Sequence, residues 1–341
     1  MGNQILCTVH NISKQFGRVR AVEGLNFDLC SGEIVSIIGP SGAGKTTLLR
    51  LMAGLETPDA GEIRYSEDIP KEKNPAVLVF QDFLLFPGMT VAANVGFGLR
   101  AARLPRTEIQ KRTTELLEAF GIPDKAHDYP AQLSAGQQQR VALARAIAVR
   151  PRVLLLDEPF AHLDKALKMD TALYLRRILQ QFGITAMAVT HDLQEAFAMS
   201  DRVGIMIHGT LMQFGPVAEV YSNPASLTVA EFLGPVNRFP AALLHAVSHD
   251  RSLQPLRMLP PDTPLFCRAE SVRIEPHPEG EALIESVTFI GVLVLYQLRI
   301  ETPAGSCHLR AFSLENGLHP GDTVRTRITH AIHDKEHSNE T

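Results

Sequence analysis

The chain has 341 residues, 45% of them hydrophobic and 21% charged, and a net charge of -4. That length holds one large domain and a smaller one, and the near-neutral charge offers no global attraction to nucleic acid or to an anionic membrane surface. Four cysteines, Cys7, Cys30, Cys267 and Cys307, lie far apart with no CxxC pair. Their spacing argues against a zinc site or a disulfide framework and fits a reducing cytosol. Met1 to His10 shows no basic stretch followed by a long apolar core, so no secretory leader is expected. No uninterrupted apolar run reaches the ~20 residues that span a bilayer; the nearest, Phe289 to Leu298, has the length of a strand. Any membrane role is expected to run through a partner.

In chain order, the first two thirds alternate short apolar runs with helical patterns, the mark of an α/β fold with crossover helices. Ile34 to Ile38 reads as a buried strand and Gly44 to Ala53 as the helix after it. Ala76 to Phe80, Val153 to Leu156 and Ile184 to Val189 are further strands, with helices at Thr107 to Phe120, Ala135 to Val149 and Lys165 to Phe182. Past Gly234-Pro235 prolines crowd in and apolar stretches shorten. Cys267 to Ile274, Leu283 to Ile300 and His308 to Phe312 read as strands of a small β-rich domain. The expected domains are 1–235 and 236–335, the charged stretch from Asp334 ending in a disordered tail at 336–341.

Gly39-Pro40-Ser41-Gly42-Ala43-Gly44-Lys45-Thr46 fits GxxxxGK[ST] between a strand and a helix. A glycine turn there lets backbone N–H groups converge on phosphate oxygens, and the helix N-terminus adds a favourable dipole. Lys45 is placed for the β- and γ-phosphates and the Thr46 hydroxyl for Mg²⁺, with Thr47 completing the nucleotide-binding run. Val153-Leu-Leu-Leu-Asp157-Glu158 is an apolar strand that ends in two acids. A parallel sheet presents ligand-binding groups at the carboxyl ends of its strands. Asp157 is thus placed for the metal and Glu158 for the attacking water. Leu133-Ser134-Ala135-Gly136-Gln137-Gln-Gln-Arg140 opens another helix, and Ser134 with the N–H groups beside Gly136 forms a second anion site. One chain cannot easily aim both sites at the same γ-phosphate.

With this last stretch the sequence resembles the ABC ATPase family, whose signature reads LSGGQ, strongly over roughly residues 5 to 235. The other family motifs fall in order around it. The resemblance implies a P-loop ABC ATPase domain binding ATP and Mg²⁺, with Lys45, Glu158 and His191 as the catalytic set and Thr46, Gln81 and Asp157 at the metal. It implies that Phe16 stacks on adenine, that Gln81 senses metal and water, that Asp164 belongs to the D-loop, and that His191 contacts the γ-phosphate. It also implies a head-to-tail homodimer in which Ser134, Gly136 and Gln137 of one copy cover ATP held by the other. Two residues depart from the family pattern: Ala135 replaces the first signature glycine, and Ala161 the usual D-loop serine or glycine.

Within the family, the run Phe83-Leu-Leu-Phe-Pro-Gly-Met-Thr-Val-Ala-Ala-Asn94 resembles the importer segment where the membrane subunit docks. Tyr221 to Ser226 and Glu231 to Phe239 also resemble importers. Cys267 to Glu275 resembles the small oligonucleotide-binding-like β-domain that ends importer ATPases for maltose, polyamines, iron, sulfate and molybdate, and Phe232 to Arg238 is similar to sulfate-type importers. The implied protein hydrolyses ATP at the cytoplasmic face of the membrane, held peripherally by a polytopic permease and served indirectly by an extracytoplasmic solute-binding protein. ABC ATPases acting on nucleic acid resemble two fused cassettes or a cassette split by a coiled coil; exporters carry fused membrane spans and lack a β-tail. Neither pattern occurs here.

Overall fold

The computed structural model describes residues 4–66, 75–247, 251–302 and 305–333. The tail expected at 336–341 lies outside the described residues. The chain divides into two compact units, Met1–Val220 and Tyr221–Thr341.

The first unit opens with a hairpin, β1 (Ile5–Phe16) and β2 (Val19–Cys30), followed by β3 (Ile34–Ile38), α1 (Lys45–Met52) and β4 (Ala60–Tyr65). Strand β4 returns to β1, making an antiparallel sheet in the order β2-β1-β4. Then come β5 (Ala76–Val79), α2 (Val91–Val95), α3 (Phe97–Ala101), α4 (Arg106–Ala119), α5 (Ala135–Ala148), β6 (Val153–Asp157), α6 (Lys165–Gln181), β7 (Thr185–Thr190), α7 (Leu193–Met199), β8 (Arg202–Ile207) and β9 (Thr210–Pro216). These complete a second sheet, ordered β5-β6-β7-β3-β8-β9 and parallel except for β9.

Successive residues of a strand point to opposite faces, and here both faces are covered. Leu154 and Leu156 of β6 and Ala186 and Ala188 of β7 join a core with α4, α5 and α6. Val153 and Leu155, with Met187 and Val189, join a core with α1 and the antiparallel sheet. Burial on both faces explains why these strands read as unbroken apolar runs. The parallel strands also end in register: Val79 lies beside Leu156, Asp157 beside Val189, and Ile38 beside Thr190. Their carboxyl ends therefore form one edge.

Helix α8 (Val217–Ser222) carries the chain into the second unit. There α9 (Leu227–Phe232), β10 (Val236–Pro240), α10 (Ala242–Val247) and α11 (Gln254–Arg257) precede β11 (Pro264–Arg268), β12 (Val272–Pro276), β13 (Ala282–Phe289), β14 (Val294–Thr302), β15 (Gly305–Ser313), β16 (Thr323–Ile328) and β17 (Ile332–His333). A five-stranded antiparallel sheet, β12-β16-β13-β14-β15, and a three-stranded one, β10-β11-β17, make the unit β-rich. Two expected strands differ. Cys267 to Ile274 is broken by a 3₁₀ turn at Ala269–Ser271, and Leu283 to Ile300 is a hairpin, β13 and β14. The division at Val220 precedes the compositional break at Gly234 because Leu227 and Ala230 of α9 pack with Val236 and Phe266.

Candidate functional site

The turn between β3 and α1 is built on glycines for steric reasons. A Cβ on Gly39 would lie 2.0 Å from the Met206 carbonyl oxygen. Gly44 caps α1 at φ 96°, and a Cβ there would meet the Ala21 carbonyl oxygen at 1.9 Å. Neither approach admits a side chain. Lys45 is buried, and its Nζ donates to the Gly39 and Pro40 carbonyls at 2.7 and 3.0 Å. Burial lowers its pKa, against the pull of Glu158 and Asp157. The Thr46 hydroxyl donates to Asp157 Oδ1 at 3.1 Å. Asp157 is buried at the end of β6; burial raises its carboxyl pKa, the Thr46 hydrogen bond opposes the rise, and Glu158 adds to it.

Glu158 sits at φ 46°, a conformation that costs a non-glycine residue about 1–3 kcal/mol. Its N–H donates to the Val189 carbonyl at 3.0 Å, which ties its backbone to the end of β7. Glu158 Oε1 lies 3.0 Å from His191 Nδ1, and the two side chains are 17% and 59% exposed, so the pair stands at the mouth of the site. A cleft of about 350 Å³ is lined by Ser41 to Thr47, Gln81, Asp157 and Glu158, with Val19 and Ala21 from β2. Gly39 and Pro40 lie behind it as acceptors for Lys45. This donor set fits a polyphosphate. A hydroxyl and a buried carboxylate 3.1 Å apart, with the Gln81 amide in the same lining, are oxygen donors suited to a hard divalent cation.

Other expected residues are not gathered into this cleft. Phe16 stands exposed at the end of β1, the Lys14 ammonium 5.4 Å from its ring centroid. Ser134, Gly136 and Gln137 are also absent from the lining. They form a closed cap on α5: Ser134 Oγ accepts from the Gln137 N–H at 3.3 Å, while Gln137 Oε1 accepts from the Ser134 N–H at 3.0 Å. Gly136 faces Leu163, in the segment expected to be the D-loop, and the Ala161 N–H donates to the Glu158 carbonyl at 3.1 Å. Gln139, missed by motif reading, is buried and donates to the Pro159 carbonyl at 2.6 Å, one residue past Glu158. It sits in the polar run Gln137-Gln138-Gln139-Arg140, so nothing local marks it as the buried one.

The segment after Gln81 takes an irregular path, with Phe83 at φ 57° and Leu84 at φ 42°. Arg145 of α5 holds it, donating to the Phe83 and Leu84 carbonyls at 3.0 and 2.9 Å, with its guanidinium 5.3 Å from the Phe86 ring centroid. The buried Asn94 amide donates to the carbonyls of Phe86, Met89 and Thr90. So held, the segment borders an apolar groove of about 420 Å³ lined by Val77, Leu84, Phe86, Phe97 and Val149 among others, with Leu84 56% exposed. No described helix is long and apolar enough to cross a membrane.

In comparison with known proteins, residues 22–161 match the ABC transporter family. The chain is 41% identical to the sulfate/thiosulfate import ATP-binding protein of Thermosynechococcus vestitus over 86% of this chain and 87% of that one. It is 39% identical to the spermidine/putrescine import ATP-binding protein of Oleidesulfovibrio alaskensis, over 87% and 85%. It is 37% identical to an Fe(3+) ions import ATP-binding protein of Rhizobium meliloti, over 92% and 93%. Among solved structures, the CbiO1 part of an ABC transporter complex of Clostridium perfringens superposes with a TM-score of 0.60 at 30% identity, over 64% of this chain and 92% of that one. A dimeric ATP-binding cassette in a post-hydrolysis state with ADP and Pi gives 0.54, also at 30% identity, over 62% and 99%. With relatives this similar over most of both lengths, and with the phosphate-binding turn, paired acids and capped signature helix in place, the chain belongs to the ATP-binding, ATP-hydrolysing import subunits of the ABC transporter family.

Proposed function

We propose that the cleft at the strand edge hydrolyses ATP with Mg²⁺ to drive solute import, the chain working as one half of a homodimer at the cytoplasmic face of the membrane. The observation that carries this reading is the Glu158–His191 pair, 3.0 Å apart at the mouth of a cleft that also holds Lys45 and Asp157. Lys45 exchanges its two carbonyl partners for β- and γ-phosphate oxygens. Thr46 and Asp157, with Gln81, would hold Mg²⁺, which when bound would neutralise phosphate charge. Glu158 orients and polarises the attacking water, and His191, with its proton on Nδ1, fixes the Glu158 carboxylate while facing the γ-phosphate. Phosphoryl transfer depends mainly on such positioning and charge stabilisation. Phe16 supplies the adenine face. Ser134, Gly136 and Gln137 act on nucleotide held by the second copy.

The apolar groove at Leu84 and Phe86 is the docking face for a polytopic permease, because an exposed apolar patch rimmed by polar groups usually marks a partner surface. An extracytoplasmic solute-binding protein delivers the cargo to that permease. The favoured cargo is a sulfate-like anion, on the similarity of Phe232 to Arg238 to sulfate-type importers; ferric iron, polyamines and sugars are the alternatives. The central test is hydrolysis by the purified chain with Mg-ATP, together with a nucleotide-dependent rise in Tm. Absence of both would remove the cleft from this role. Uptake of labelled sulfate by vesicles holding the chain with its permease decides the cargo; uptake of spermidine or Fe³⁺ in its place would overturn the anion reading.

A further inference from the structure

His191 lies between Thr190, which is hydrogen-bonded to the buried Glu195 carboxylate, and Asp192, which is bonded to Thr190 and to the Glu195 N–H. The Thr190 hydroxyl donates to Glu195 Oε2 at 2.7 Å and accepts from the Asp192 N–H at 3.0 Å. Asp192 Oδ1 in turn accepts from the Gln194 and Glu195 N–H groups at 2.9 and 3.2 Å, starting α7. Glu195 is only 3% exposed, and its other oxygen accepts from Lys168 Nζ at 2.7 Å. The same ammonium lies 3.9 Å from Asp192 Oδ2. Lys168 belongs to α6, about one turn past the D-loop Asp164 that begins the helix.

A carboxylate this buried requires a partner, since an unpaired charge is far costlier inside a protein than in water. The Glu195–Lys168 pair therefore couples the β7–α7 turn to α6 more rigidly than apolar packing does. A charge-assisted hydrogen bond adds a directional minimum to the packing around it. Stability alone does not call for it, because uncharged residues of similar volume commonly replace a buried pair at no cost. The device flanks His191, the histidine that lies 3.0 Å from Glu158.

We propose that Lys168, Glu195 and Thr190 form a positioning relay that sets the placement of His191 against Glu158 according to where the D-loop helix α6 lies. The relay rests on the reading of Glu158 and His191 as the hydrolytic pair. None of its members is among the residues that line the cleft; beyond the field of the Lys168 ammonium at Glu158, they act through His191. Because α6 begins at the D-loop, a movement of that loop reaches the β7–α7 turn through Lys168.

The test uses the full-length chain and steady-state ATP hydrolysis. In Lys168→Met/Glu195→Gln the glutamine still accepts from Thr190 and no buried charge is left unpaired. Its kcat should fall about tenfold, the scale of a sub-ångström misplacement, while KM for ATP stays within about twofold and Lys168→Arg keeps most of the rate. In a His191→Ala background the same two substitutions should cause no further loss, because residues that act through one another are not additive. A wild-type kcat in the double variant, or an equal further loss in the His191→Ala background, overturns the relay. Near-wild-type hydrolysis by His191→Ala itself would bring down the hydrolytic reading, and the relay with it. A dead His191→Ala beside an unaffected double variant brings down the relay alone.

Discussion

Two regions of the first unit are proposed to meet the phosphates of ATP, and they are built in opposite ways. The cleft at the strand edge is assembled from segments far apart in sequence, and its charged groups are poorly satisfied. Among the described residues Lys45 has only carbonyl oxygens for partners within hydrogen-bonding distance, Asp157 is buried against the Thr46 hydroxyl, and Glu158 is held at positive φ. The signature segment is local and self-satisfied: Ser134 and Gln137 bond each other's N–H groups, and Ser134 is exposed. Groups that wait for a ligand carry cost; groups that cap a helix relieve it. The difference teaches that one chain holds a cleft prepared for the phosphates proposed above and, separately, a self-capped helix end that stands outside the lining of that cleft.

The largest effect expected from this contrast is at Glu158. Glu158→Gln should reduce steady-state hydrolysis by about 10²–10³-fold, the scale of a lost catalytic electrostatic group, while ATP still binds and a nucleotide-bound dimer accumulates on gel filtration. Hydrolysis near the wild-type rate would show that Glu158 takes no part. Lys45→Ala comes next. It should weaken nucleotide binding itself by at least about tenfold, since a hydrogen bond to a charged group contributes roughly 1.5–3 kcal/mol. Calorimetry showing unchanged affinity would break the claim that the cleft is prepared by the lysine.

Much of this was legible in the sequence, for physical reasons. Strands β3, β6 and β7 are buried on both faces, so their residues form continuous apolar runs. The phosphate turn was legible because only glycine fits at Gly39 and Gly44. The β1–β2 hairpin was not, because its half-exposed strands mix polar and apolar residues without a regular period. The β13–β14 hairpin was read as one strand because its turn, Ile290-Gly291-Val292, is apolar, with Val292 83% exposed. Gln139, Arg145 and Glu195 escaped for a different reason. Each acts through a contact made in three dimensions: Gln139 with Pro159, Arg145 with Phe83, Glu195 with Lys168. A residue whose role is to hold another loop leaves no local pattern.

The contrast between the two regions sharpens under a substitution that leaves single-chain binding alone. Ser134→Ala removes the cap on α5 and should lower Tm by the equivalent of about 1 kcal/mol. It should leave ATP affinity unchanged in dilute protein, where the chain is alone, and slow hydrolysis at concentrations that form dimers. If Ser134→Ala weakened ATP binding in dilute protein as much as Lys45→Ala, the signature segment would belong to the same chain's cleft and the comparison would fail.

The smallest effect has the opposite sign. Burial raises the Asp157 carboxyl pKa in the folded protein above its ordinary value, so the folded state binds this proton more readily than the unfolded chain does. Stability linked to this group is therefore present below the ordinary carboxylate range and is lost as pH rises through the raised folded value. At neutral pH the ionised carboxylate weighs against the nucleotide-free fold. Asp157→Asn keeps an oxygen to accept from the Thr46 hydroxyl and removes the charge, so it should raise the Tm of nucleotide-free protein at pH 7. The gain over wild type should shrink as the pH is taken down into the carboxylate range. With saturating Mg-ATP the order should reverse, because only the carboxylate compensates the cation, and a ligand stabilises in proportion to its affinity. A residue kept for binding and costly without its ligand gives this pair of outcomes. If Asp157→Asn melted below wild type at neutral pH without nucleotide, the carboxylate would be structural, and the cleft would be as self-satisfied as the cap on α5.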